Sequence, residues 1–178
     1  FKNVIINLSV DGVDKVNDYS RFPSEWNEVD KNADKWIATD FDIRWVPCIS
    51  VYNVHNIVDM FEWWFSKDHK NLRVGDKLNI TLNTVDDPSY MSPNLFPNKE
   101  IYVDKLEQYK NSKSFTDTFD IHFKHLINKS IQAINKKVND EDLELFLNFS
   151  ADLDKLRKQN IHDFIPELDY DFANYGKL

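Results

Sequence analysis

The run Val4-Ile5-Ile6-Asn7-Leu8-Ser9-Val10, ending at Asp11-Gly12, constrains this chain more than any other stretch. β-Branched residues dominate it, as in a buried parallel strand, and Gly12 ends it. The strand runs straight into Ser-x-Asp-Gly, and Arg21-Phe22-Pro23 follows shortly after. Polar groups at the carboxyl end of a barrel-type strand are where such folds keep their chemistry. The strand begins almost at residue 1, with no initiator Met, so the chain reads as the back half of a larger protein.

The βα rhythm continues. Trp26, Val29, Ala33 and Trp36 recur at helical spacing and predict an amphipathic helix over 24–37. Ile43 to Val54 holds a second strand, placed at Cys48 to Tyr52, because Pro47 sets the point after which pairing begins. Ile57, Phe61 and Trp64 then share a helix face, Arg73 to Asp76 reads as a turn, and Leu78 to Leu82 alternates as a third strand. Strands alternating with helices predict βα units and a parallel sheet. From Asp86 to Lys99 the prolines Pro88, Pro93 and Pro97 mark an ordered loop or lid. Three helices follow. One runs over 100–112 with Leu106 and Tyr109 inward. The next carries Phe119, Phe123, Leu126, Ile131 and Ile134, and the last Phe146, Phe149, Leu153 and Leu156. The fold class expected is therefore α/β, with residues 1–98 forming βα units and 99–178 a helical C-terminal extension.

Composition narrows the partners. With 178 residues, 42% of them apolar and 14% aromatic, the chain can bury one substantial core. A net charge of -8 with Lys and Asp intermixed offers no basic stripe, so neither nucleic acid nor an anionic membrane surface is an expected partner. No apolar run reaches membrane-spanning length. The single cysteine, Cys48, excludes a disulfide framework within the chain and reads as a buried core thiol. A cytoplasmic protein is the simplest expectation.

Ser9 and Asp11, two apart, point to one face of a strand, where a hydroxyl and a carboxylate can bind the vicinal hydroxyls of a ribose. Arg21 offers a planar fork suited to a carboxylate. Spacing alone equally allows Ser9 and Asp11 to cap the next helix or turn and Arg21 to pair locally. His122 and His125, three apart on a predicted helix, read as a solvated face, and Asp154 and Arg157 as a helical ion pair.

The run Ile6 to Val13, then Asn17 to Pro23 and Trp26, resembles the middle of radical S-adenosylmethionine (radical SAM) enzymes, and most closely the twitch-domain radical SAM proteins of phages and bacteria. Val51-Tyr52-Asn53, Leu82 to Pro88, Leu153-Asp154-Lys155-Leu156-Arg157 and Ile165-Pro166-Glu167-Leu168 extend the resemblance over nearly the whole chain. It implies the C-terminal half of a partial (β/α)6 TIM-like barrel, with strands four to six in residues 1–98. It further implies that Ser9 and Asp11 lie near the ribose of S-adenosylmethionine, that Arg21 contacts the methionyl carboxylate, and that Asn53 forms part of the pocket wall. In such enzymes a 4Fe-4S iron–sulfur cluster on a Cys-x3-Cys-x2-Cys loop accepts an electron from a donor such as flavodoxin or ferredoxin. Cleavage of S-adenosylmethionine then gives a 5′-deoxyadenosyl radical. That cysteine loop is absent here, so the cluster is expected on a missing N-terminal half, and the chain alone is expected to be inactive. The substrate stays open. The alternative expectation is a non-catalytic barrel remnant that binds a protein partner.

Overall fold

The computed structural model describes residues 4–67, 73–74, 77–115 and 117–176. In chain order the elements are β1 (Ile5–Leu8), α1 (Lys15–Ser20), α2 (Trp26–Ile37), β2 (Asp42–Trp45), β3 (Cys48–Ile49) and α3 (Ile57–Ser66). The hairpin strands β4 (Arg73–Val74) and β5 (Lys77–Leu78) come next, then β6 (Asn83–Thr84). Helices α4 (Lys99–Ser112), α5 (Asp117–Ile134), α6 (Asp140–Arg157) and α7 (Ile161–Phe164) complete the chain.

β1 pairs in parallel with β2, from Ile5 opposite Asp42 to Leu8 opposite Trp45. β3 pairs in parallel with β6, and a parallel bridge joins Trp45 to Ile80. Residues 4–10, 42–50 and 79–85 therefore lie side by side in chain order, with helices crossing between them.

Pro47 explains why this sheet is broken into pieces. On one edge, Trp45 N–H donates to Asn79 (3.1 Å) and Thr81 N–H to Trp45 (2.9 Å). Pro47 has no N–H, so the next outgoing rung on that edge is missing, although its carbonyl still accepts from Asn83 at 2.9 Å. The opposite edge uses the alternate residues: Asp42 N–H donates to Val4 (3.2 Å) and Val46 N–H to Leu8 (2.9 Å). Pairing thus starts before Pro47 rather than after it, and Ser50 to Asn53 turn away from the sheet, contrary to the strand expected over 48–52.

The helices follow the apolar period with slips on α2 and on α6, where Phe149 and Leu156 of the expected inner stripe are 37% and 68% exposed. α2 buries Ala33 and Ile37, while Trp36, expected inward, is 42% exposed and leans on Phe41. α3 packs Phe61 and Trp64 against Trp45. α6 is signalled at both ends. Asn139 caps it by accepting from Glu141 N–H, acidic residues fill its first turn, and Lys155 and Arg157 lie in its last. One contiguous apolar cluster, from Val10 to Phe172, joins the βα units to the C-terminal helices.

Candidate functional site at the strand carboxyl ends

A cavity of about 280 Å³ opens where the three parallel segments end. Asp11, Cys48, Ser50 and Val85 form its floor, and α6 covers it with Phe149, Leu153 and Arg157. Tyr19, Ser20, Tyr52 and Met91 complete the wall. The carboxyl ends of parallel strands are where α/β sheets place their ligands.

The floor is a closed hydrogen-bonded knot. Asp11 Oδ1 accepts from Cys48 N–H at 2.8 Å, and Oδ2 accepts from Arg21 Nε at 2.8 Å and also from Arg21 Nη2. The Asn53 side chain, fully buried, donates from Nδ2 to the carbonyls of Asp11 (2.7 Å) and Cys48 (2.8 Å). Its Oδ1 accepts from Ser50 N–H at 2.8 Å. Asn53 ties the ends of two strand segments together, and its amide is fully engaged in doing so. The Val10 carbonyl is taken by the Trp45 indole N–H at 2.9 Å.

Of the residues singled out in the sequence, Asp11, Arg21 and Asn53 meet in this knot and Ser9 does not. Ser9 is exposed, like Ile5 and Asn7 before it, and is not part of the cavity lining. The two-residue period that would align Ser9 with Asp11 holds only within a strand, and β1 ends at Leu8. Arg21 is closed on Asp11 rather than open to a ligand. Cys48 is half-buried, and burial together with the nearby Asp11 carboxylate pushes its thiol above the ordinary value. It therefore stays protonated at neutral pH and is no activated nucleophile.

The wall from α6 was not visible in the sequence. Asp154 and Arg157 do not pair with each other. Asp154 accepts from Tyr19 Oη (3.0 Å) and from Ile161 N–H (2.7 Å), while Arg157 Nη1 donates to the Tyr19 carbonyl (3.0 Å). The Tyr52 and Ser150 hydroxyls meet at 2.9 Å. Burial pushes the Tyr52 phenol up to about 12, so it remains a neutral hydrogen-bonding group. Only the long-range fold brings these groups to the strand ends.

The other candidates resolve differently. His122 Nδ1 accepts from Leu78 N–H at 3.1 Å, which ties α5 to β5, while His125 is exposed. Among the described residues no three His, Cys, Asp or Glu side chains gather as a metal site. No helix among them is long and apolar enough to cross a membrane. A second cavity, about 400 Å³, lies between α3 and α4 and is lined by His55, Asp59, Tyr102 and Lys105. Comparison with known proteins gives no match to a family model, to a curated protein or to a solved structure.

Proposed function

We propose that this chain is the C-terminal part of a radical SAM enzyme, contributing strands four to six of a partial (β/α)6 barrel, and that the cavity at its strand ends takes the nucleoside of S-adenosylmethionine. The observation that carries this reading is the cavity's position at the carboxyl ends of parallel segments that follow one another in chain order, with the Asp11 carboxylate in its floor. Such a carboxylate can accept from a ribose diol, and Tyr52, Met91 and Phe149 supply apolar surface for a base. The outer edge of β1 supports the same reading: β1 pairs only with β2 among the described residues, and Ile5 on it is 51% exposed.

The iron–sulfur cluster does not fit the residues of this chain. A cluster needs several thiolates, and Cys48 is the only cysteine. On this reading the cluster ligands come from outside these 178 residues, and the present chain contributes to binding and shaping the ligand.

Equilibrium dialysis with S-adenosylmethionine tests the assignment. Asp11→Asn should weaken binding about tenfold, the loss of one hydrogen bond to a charged acceptor. Unchanged affinity in a variant with native far-UV circular dichroism would overturn it.

A further inference from the structure

The cavity holds one cationic side chain that forms no salt bridge among the described residues. Arg157, in the last turn of α6, lines it and donates from Nη1 to the Tyr19 carbonyl at 3.0 Å. No other hydrogen bond or ion pair engages this guanidinium among the described residues, so most of its donors are left over. Its Cζ lies 5.1 Å from the centroid of Phe22 and 5.8 Å from that of Tyr19, within cation–π range of both rings. Cation–π contact of this kind restrains an arginine while leaving N–H donors available. Beside it, Ser20 also lines the cavity, and its hydroxyl is buried without a protein partner. A buried hydroxyl left unpaired is costly, and a bound ligand removes that cost. Arg21, by contrast, is already closed on Asp11 through both Nε and Nη2.

We infer that Arg157 and Ser20 form the oxyanion receptor of this cavity, and that its ligand carries a carboxylate or phosphate group there. The inference rests on the reading above only in expecting a nucleoside in the same cavity. It moves the anion contact from Arg21 to Arg157, with the fixed guanidinium edge meeting two oxygens and the Ser20 hydroxyl donating to one of them.

Titration of the full chain with inorganic phosphate and, separately, with S-adenosylmethionine tests this, followed by the NMR shift of the Arg157 Nε–H. Phosphate should move that signal, and Arg157→Gln should weaken phosphate binding about tenfold or more, with Arg157→Lys recovering part of the loss. Native circular dichroism in Arg157→Lys guards against a folding artefact. If phosphate and S-adenosylmethionine compete, the oxyanion is the cofactor's α-carboxylate; if they bind together, it belongs to the substrate. Both results support the receptor. Phosphate binding at Arg157 without any S-adenosylmethionine binding keeps the receptor and discards the nucleoside reading. S-adenosylmethionine and phosphate affinities unchanged within about twofold in Arg157→Gln would overturn the receptor while leaving that reading intact. An Arg157 signal that neither ligand moves would also overturn it.

Discussion

Two cavities of this protein, the one at the strand ends and the one between α3 and α4, are built on different plans. At the strand ends, the polar groups of the floor answer one another: Asp11, Arg21, Asn53 and the Cys48 amide form a closed set. Between α3 and α4, the apolar side chains of Val54, Val58, Leu106 and Tyr109 line the wall, and a polar group is left short of a partner. His55 is the example. Its Nδ1 is buried without a partner, its ring stacks on Phe96 at 5.5 Å, and Glu167 lies 3.5 Å from Nε2. The first cavity has its shape fixed by directional bonds and the second by volume. Directional bonds are the better foundation for a ligand site, because they hold atoms at set distances.

That contrast can be broken most sharply at Asn53. Asn53→Ala strips partners from two buried carbonyls and one amide and should cost about 3 kcal/mol in urea unfolding, with the strand-end cavity lost first. Ser150→Ala probes the join between the strand ends and α6. It removes the Ser150 partner of the buried Tyr52 hydroxyl and should cost about 1–2 kcal/mol.

The second cavity should respond to pH instead. Burial lowers the His55 pKa below its ordinary 6.5, with Glu167 opposing and Lys105 adding to the effect. The unfolded imidazole takes up its proton near 6.5 while the folded one resists, so stability is full above that value and falls as pH drops below it towards the lower folded pKa. His55→Phe keeps the stack on Phe96 and should flatten this part of the pH–stability curve, as read by urea midpoints on either side of 6.5. The smallest effect is expected at the exposed Asp86–Lys136 ion pair, where Lys136→Ala should change stability by no more than about 0.5 kcal/mol.

Much of the scaffold was legible in the sequence because burial imprints a period. The helix through Phe61 and Trp64 and the long C-terminal helices announce themselves in this way, whereas the first strand, expected to be buried, pairs in parallel with β2 but has none of Ile5–Leu8 buried. The misreadings have physical causes. Trp36 fits a spacing of three and four from Trp26, yet the true inner stripe of α2 runs through Ala33 and Ile37, one position away. α1 has only Val16 and Tyr19 as apolar signals across Lys15 to Ser20, too short a run to show a period. Pro47 reads as a barrier to pairing, but its missing N–H affects one edge of the strand and leaves the other free. The site was half legible. Asp11 and Arg21 are named from their spacing and Asn53 only from the resemblance, whereas Ser9 relies on a strand that stops at Leu8. Arg157 and Ser20 meet across 137 positions of chain, and no local pattern signals such an encounter.

The Cys48 amide is the point at which a side chain stands in for a strand. Val46 donates to the Leu8 carbonyl, and the next amide on that edge, Cys48, finds the Asp11 carboxylate where a further rung of sheet would lie. That amide is in effect an indicator wired to the site. On the proposed reading, a ligand diol that draws Asp11 away would leave Cys48 open to deuterium from solvent, while Val46, bonded to the Leu8 carbonyl, would stay protected. Occupancy of the cavity can therefore be followed at a single backbone position, without a label and without turnover.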